Sequence, residues 1–418
     1  MALWYPWSVT SELSIRTLTP DDWPAVVSVD GNAFGTTFAD EVLEEEQEVV
    51  EWDRWIGTFD GNELVGVAAI HSFIMTVPGG RQPVAAVTWV AVLPTHRRRG
   101  ILRGQMTHQL HGLHESGGES VAALWASEPA IYGRFGYGLA SLRMTLTVPR
   151  SDRAVRPAAV AGSQLRVRLH PVEDWKTVVP AYDAVAAQRP GMMWRDDRWS
   201  ERSARDIPSM REGASARRCV VAEDAAGIRG YARYATKQEW NQGGAAGIVR
   251  VNELLAPDVE TEAVLLRFLA DIDLTAQVEL WNMPVDDPAW HVLTDPRRAE
   301  PKLSDGLYIR LVDVDRALSS RTFATELDVV IDVSDELCPW NAGTWRLAAG
   351  ADGVTCERTD AAADLAMPVS SLGAAYLGGT SLGELGRAGL VEERRPGALA
   401  TASRAFAHEP KPWCAFIF

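Results

Sequence analysis

The chain has little cysteine, no excess of positive charge and no long apolar run, and each shortage removes a class of protein. Its four cysteines, Cys219, Cys338, Cys356 and Cys414, stand far apart in 418 residues. That spacing matches no metal site and no disulfide framework, so no metal is expected and a reducing cytoplasm is the expected compartment. The 41 lysines and arginines are outnumbered by 56 aspartates and glutamates, leaving a formal net charge of −15. A nucleic-acid partner needs a basic face and is not expected, whereas a cationic small molecule or peptide fits this balance. No stretch approaches the ~20 apolar residues of a transmembrane helix. The opening residues, MALWYPWSVT, have neither a basic region nor a long apolar run, so no signal peptide is expected there.

What is present is a soluble, mixed composition over a length that predicts two to four domains. One stretch organises the rest: Val84 to Arg103, VAAVTWVAVLPTHRRRGILR. It begins as a strand, stops at Pro94, and enters a corner at Arg97, Arg98, Arg99 and Gly100. Ile101, Leu102, Met106, Leu110 and Leu113 then fall at helical spacing, so a helix opens at the corner. The first N–H groups of a helix lack internal partners and carry partial positive charge, so this turn is a preformed cradle for an anion such as a pyrophosphate.

Upstream, Leu13–Leu18 alternates like a strand, and Thr19-Pro20-Asp21-Asp22 carries the cap, proline and acids of a helix start. The acidic run Asp40–Asp53 predicts a surface helix with a solvated face. Trp55–Phe59, a turn at Asp60-Gly61-Asn62, and Leu64–Thr76 predict a hairpin. Downstream come a strand at Val121–Ala126, a loop and short helix at Ser127–Gly138 (SEPAIYGRFGYG), and a strand at Leu142–Val148 expected to close the first unit. A linker rich in Pro, Ala and Arg follows at Pro149–Gly162.

The next segment echoes the first. Leu165–Leu169 and Pro171–Trp175 repeat the opening strand and helix start; Cys219–Ala222 and Gly230–Tyr234 repeat the hairpin; Val249–Leu255 with Pro257 repeats the organising strand. At the helix opening, however, Asp258, Glu260 and Glu262 replace the arginines and glycine, so an anion would be repelled. From about Asp305 the pattern changes again, with a strand at Leu307–Val312, a helix at Val314–Ser320, strands at Leu327–Val333 and Gly343–Ala348, and helical turns at Leu372–Tyr376 and Leu382–Ala388. The last nine residues, PKPWCAFIF, are aromatic where termini are usually polar, which predicts a docked end and a fixed position for Phe418.

The strand, basic glycine corner, helix, strand and aromatic IYGRFGYG loop resemble the GNAT superfamily of N-acetyltransferases. The corner Arg98, Arg99, Gly100, Ile101, Leu102, Arg103, Gly104 is similar to the family's Arg/Gln-x-x-Gly-x-Gly/Ala cofactor motif. With the degenerate second copy and the Trp-Cys-x-x-x-Phe end, the full length resembles the enhanced-intracellular-survival (Eis) acetyltransferases. That resemblance implies an α+β fold of three domains: a catalytic GNAT domain over 1–150, a degenerate GNAT domain over 163–300, and a sterol-carrier-protein-like domain over 305–418. It also implies acetyl-CoA as co-substrate, acceptors among aminoglycosides, polyamines and lysine-type amines, and a homohexamer.

Carried over residue by residue, the resemblance implies that Val90, Ala91 and Val92 hold the pantetheine arm through their backbone. Arg98, Arg99, Gly100, Ile101, Leu102 and Arg103 meet the pyrophosphate through backbone N–H groups, and Ser127 and Glu128 line the cofactor from the neighbouring strand. Tyr132 matches the general acid, a role suited to a phenol that stays protonated at neutral pH. The terminal carboxylate of Phe418 matches the general base. Where the family can carry an acidic neighbour to that Phe, Ile417 stands here, which implies a less anionic acceptor pocket. Tyr137 is expected to be structural, His96 a turn or capping group, and Ser127 no nucleophile, because no elbow surrounds it. The rival expectation is an acyl-CoA sensor or a carrier of an apolar ligand beneath Leu372–Leu390.

Overall fold

The computed structural model describes residues 13–150 and 154–418; the expectation about a signal peptide concerns residues outside these. In the first unit, β1 (Leu13–Thr17) leads through the Thr19 cap into α1 (Trp23–Phe34), and α2 (Asp40–Gln47) follows. The predicted hairpin forms as β2 (Trp55–Asp60) and β3 (Glu63–Val77), and β4 (Gly80–Val92) is the organising strand. The predicted helix is α3 (Ile101–Ser116), followed by β5 (Val121–Trp125), α4 (Pro129–Tyr132) and β6 (Gly138–Leu139). Alternate β4 residues face two cores. Ala85 and Val87 pack with Met106, Leu110 and Leu113 of α3, while Val84 and Ala86 face the opposite way.

The strand expected to close this unit does not. β7 (Leu142–Pro149) leaves for a second sheet. That sheet is built with β8 (Arg166–His170) after α5 (Pro157–Val160) and, beyond β9 (Met193–Trp194), which pairs with β3, from β10 (Arg218–Asp224) and β11 (Gly227–Lys237). After the small hairpin of β12 (Trp240–Asn241) and β13 (Gly244–Ala245) come β14 (Gly247–Leu255), β15 (Thr275–Pro284) and β16 (Lys302–Asp305). The order is β16-β7-β15-β14-β11-β10-β8. Its helices are α6 (Val179–Ala186), α7 (Asp197–Ala204), α8 (Val259–Ala270) and α9 (Ala289–Val292).

In exchange, β17 (Leu307–Leu311), expected at the head of the third unit, inserts between β5 and β6 of the first sheet. Burial explains the trade. All five β17 residues are buried, as a central strand covered on both faces requires, whereas β7 buries Met144, Leu146 and Val148 on one face only. Arg310 of β17 is fully buried and makes a bidentate pair with Asp335 at 2.7 and 2.9 Å, tying the first sheet to the third unit.

The third unit contains α10 (Val314–Ser319), β18 (Leu327–Ser334), β19 (Gly343–Gly350), β20 (Gly353–Arg358), β21 (Leu365–Pro368), α11 (Val369–Ala375), α12 (Leu382–Arg387), β22 (Glu392–Glu393) and α13 (Ala398–Phe406). Its sheet runs β20-β19-β18-β21-β22. Leu372, Tyr376, Leu377 and Leu382 are fully buried in one core with Val84, Ala86, Ile309 and Leu311 of the first sheet. The segment from Leu372 to Leu382 is thus committed to packing against the first sheet.

Candidate active site

The site begins as a defect in β4. This strand pairs in parallel with β5 through Ala85–Ala122, Ala86–Ala123 and Val87–Leu124, and there the pairing ends. Against β3 the register slips between Val67 and Ala69, where Trp89 takes a left-handed φ of 49°. That is a β-bulge, which bends the strand and raises its twist. From Thr88 to Val92 the edge facing β5 carries no strand among the described residues. Backbone groups of Val90 and Val92 are left available for an extended amide chain.

The corner follows. Arg98 (φ 66°) and Gly100 (φ 83°) are both left-handed, a curl that turns backbone N–H groups inward. Gly100 caps α3 without a side chain, so no cap hydrogen bond occupies the first-turn N–H groups. A Cβ at Gly100 would meet no atom within 4 Å, so what demands glycine there is conformation and not space. Two of the arginines hold the corner: Arg97 donates to the Ala33 carbonyl at 3.0 Å, and Arg99 pairs with Asp60 at 2.9 Å. His96 also reaches Asp60, at 3.3 Å. Arg98 and Arg103 are exposed and form no ion pair among the described residues.

The opposite wall is the IYGRFGYG loop, which Gly136 (φ 82°) folds directly over the buried Arg310 guanidinium; a Cβ there would sit 2.7 Å from Arg310 Nε. Tyr132 is 5% exposed. Burial first, then the charge of Glu128, push its phenol up to about 12, with a Ser127 hydrogen bond opposing. It is therefore a proton donor across the neutral range. Tyr137 is buried with its hydroxyl unpartnered among the described residues, and its ring meets Tyr132 edge-on at 6.0 Å.

Between these walls lies a cleft of about 430 Å³. Val90, Ala91, Val92, Arg98, Gly100, Ile101, Leu102, Arg103, Ser127, Glu128 and Tyr132 all line it. Arg99 does not, because its side chain is turned to Asp60. Ala33 and Phe34 of α1, and Ile131, Arg134 and Phe135, add walls that local motifs did not single out. The bulge, the open amides and the exposed arginines fit a phosphorylated, extended cofactor in this cleft.

Phe418 approaches from outside it. The tail is pinned by the second unit, with Trp413 Nε1 donating to Asn282 Oδ1 at 2.9 Å and Asn282 donating to the Cys414 carbonyl at 3.1 Å. It then crosses to the first sheet, where Thr88 Oγ1 donates to a terminal oxygen of Phe418 at 3.0 Å. Thr88 is where β4 parts from β5. It was not foreseen, since nothing about a threonine within an apolar strand marks it.

The acidic helix is corrected in part. Beside the solvated face kept by Asp40, Glu41 and Glu44, the run offers Glu45, which is buried, Glu46, which pairs with Arg202, and the following Glu48, which pairs with Arg205 at 2.6 Å. Asp30 is buried in α1 with its carboxyl pushed up to about 6 by burial and by the Glu46 charge. Glu409 lies beside Thr322 and His408, at a separate pocket.

Acetyltransferase (GNAT) domain models match residues 14–140 and 191–311, and a sterol carrier protein domain model matches 314–415. The chain is 44% identical to an uncharacterized N-acetyltransferase of Streptomyces avermitilis, over 96% of this chain and 98% of that one. It is 32% identical to N-acetyltransferase Eis of Mycobacterium tuberculosis, over 96% and 98% of the two chains. The crystal structure of Eis1 from Mycobacterium abscessus covers 97% of this chain and all of its own, with a TM-score of 0.82 and 33% identity. The chain belongs to the Eis N-acetyltransferases. As an Eis-type enzyme it consists of two GNAT domains and a sterol-carrier-protein-like domain, and its GNAT domains imply acetyl-CoA as co-substrate. No described helix is long and apolar enough to cross a membrane.

Proposed function

We propose that this acetyltransferase moves the acetyl group of acetyl-CoA directly to primary amines, of aminoglycoside, polyamine or lysine type, in a ternary complex. The observation that carries the reading is the convergence at the β4 bulge. Tyr132 lines one wall of the cleft with Val90 of β4, and Thr88, two residues earlier on that strand, holds the terminal oxygen of Phe418. Arg98, Arg103 and the first-turn amides of α3 bind the pyrophosphate, and Val90 to Val92 align the pantetheine arm by backbone pairing. Bound acetyl-CoA supplies an activated acyl carbon. The Phe418 carboxylate, which forms no ion pair among the described residues, attracts the ammonium of the acceptor and takes the proton its nitrogen loses. Tyr132 gives its proton to the sulfur as the carbon–sulfur bond breaks and the carbon–nitrogen bond forms. No enzyme side chain is acylated.

Thiol release measured with acetyl-CoA against a panel of aminoglycosides, diamines and lysine peptides tests this reading. Turnover with at least one amine is expected. Acetyl-CoA binding with no thiol release from any amine would instead favour an acyl-CoA sensor. We further propose a cytoplasmic homohexamer, for which light scattering coupled to size exclusion should give six times the 45.7 kDa chain mass.

A further inference from the structure

The loop that carries Tyr132 rests on the third unit. Gly136 lies over the buried Arg310 guanidinium, and a Cβ there would sit 2.7 Å from Nε, 2.8 Å from Cζ and 2.8 Å from Val369 Cγ1. Gly138 presses on α11 in the same way, since a Cβ there would collide with the Ser370 carbonyl oxygen and the Ala374 nitrogen. Thr380 Oγ1 then donates to the Leu139 carbonyl at 3.0 Å. Val369, Ser370, Ala374 and Thr380 all fall within the stretch matched by the sterol carrier protein domain model. Inside the loop, the Tyr137 N–H donates to the Tyr132 carbonyl at 3.3 Å, and the Gly136 N–H donates to the Gly133 carbonyl at 3.1 Å. A shift at Gly136 is thereby passed to the backbone that aims Tyr132.

Arg310 is itself locked. Its Nη2 reaches both carboxylate oxygens of Asp335, at 2.7 and 2.9 Å, and its Nη1 donates to the Leu311 carbonyl at 2.9 Å. Asp335 also accepts from the Leu337 and Cys338 N–H groups, at 3.2 and 3.0 Å, and from Asn341 Nδ2 at 3.0 Å. A buried ion pair is a weak source of stability, because apolar side chains of like volume often serve as well. What this one supplies is direction. A planar guanidinium held through two of its nitrogens has one orientation. Its Nε, buried and without a hydrogen-bond partner among the described residues, lies beside Gly136. That edge is a flat seat, and only a residue without a Cβ closes on it.

We infer that Arg310 is a positioning residue for Tyr132: fixed by Asp335, it sets the height of the loop that aims the phenol at the departing sulfur. The third unit then places both ends of the proton transfer, because the same segment of chain ends in the Phe418 carboxylate. This deepens the reading of Tyr132 as the acid and rests on it.

The test is a double-mutant cycle in kcat, using the amine of the panel that releases thiol fastest. Gly136→Ala forces the loop off Arg310, and a displacement of about 1 Å costs on the order of 10²-fold in rate. Arg310→Lys keeps the charge opposite Asp335 but removes the flat edge, and should lower kcat in the same direction by less. Acetyl-CoA affinity, read by titration calorimetry, should change little in either variant, because the corner and the first turn of α3 are untouched. In a Tyr132→Phe background neither substitution should lower kcat further, since losses that act through one group do not add. If the losses multiply in that background, or if Gly136→Ala turns over like the parent, the positioning role is overturned while Tyr132 keeps its own. If Tyr132→Phe alone turns over like the parent, the acid reading falls and the inference falls with it. Thermal midpoints report the folding of each variant, and should Arg310→Lys fail to fold, the Gly136→Ala arm decides.

Discussion

Two strand–corner–helix units in this chain share a fold and have opposite electrostatics. At the first, Gly100 caps α3 with no side chain, two left-handed residues curl the backbone, and Arg98 and Arg103 are exposed and form no ion pair among the described residues. At the second, Asp258 caps α8 and its carboxylate accepts from the Thr261 N–H at 2.8 Å, while Glu260 and Glu262 occupy the first turn. A helix N-terminus favours an anion in either case. The second unit supplies its own covalently, so its cap satisfies the amide that a phosphate would need. The splay between β14 and β15, whose pairing ends at Val251–Leu280, is likewise served from within: Asn282 binds the tail at Trp413 and Cys414. One copy of the fold thus leaves its helix amides open to a ligand, and the other answers them with its own carboxylate, while its Asn282 pins the chain end that reaches Thr88 of the first.

That division can be broken from either side. The largest effect is expected at the acid that the first copy adds. Tyr132→Phe should lower kcat by about 10²–10⁴-fold with acetyl-CoA affinity retained, as read by steady-state kinetics beside titration calorimetry. Full turnover at saturating substrate would remove Tyr132 from the role. Next comes the anchor. Residues added beyond Phe418 displace the carboxylate from Thr88, and misplacement by about 1 Å costs on the order of 10²-fold in rate. Acetyl-CoA binding should persist, and unchanged turnover would refute the base assignment.

A smaller change transplants the difference itself. Gly100→Asp gives the first copy the second copy's cap and should weaken acetyl-CoA binding about tenfold or more, a shift of ~1.4 kcal/mol. The converse, Asp258→Ala, should cost about 1 kcal/mol of stability and create no second acetyl-CoA site, so calorimetric stoichiometry stays at one per chain.

The smallest expected effect concerns two buried carboxyls beside α8. Burial, first, and the like charge of its neighbour raise the pKa of Glu262 well above its ordinary value, and burial raises that of Asp287. The folded state therefore holds protons that the unfolded chain releases. Stability is fullest below the ordinary carboxyl range and falls as pH rises through the raised value. In Glu262→Gln the thermal midpoint should decline less between pH 5 and pH 8 than in the parent. An identical slope would mean that Glu262 does not carry this linkage.

Much of the site was legible in sequence because its signals are local. The β4–α3 corner is a change of period around a glycine, and the IYGRFGYG loop is a short aromatic run; the structure places both along one cleft. The direction of the Arg99 side chain was not legible, because its partner, Asp60, lies in a hairpin 39 residues earlier. The pairing of Glu46 and Glu48 was hidden for the same reason, since Arg202 and Arg205 that answer them are more than 150 residues away. Thr88 carries no pattern of its own.

By itself the sequence determined which segments become strands, where helices begin, which copy can tolerate an anion and that the aromatic end must dock. These follow from periodicity, capping and charge within a few residues. Only the tertiary structure decided which sheet each strand joins. β7 and β17 are both competent strands, and their exchange is set by how many faces each can bury once the sheets meet. It also decided where the chain's end is delivered. Anchoring Trp413 on one domain and holding Phe418 on another is a long-range choice, made by packing and a single threonine hydroxyl.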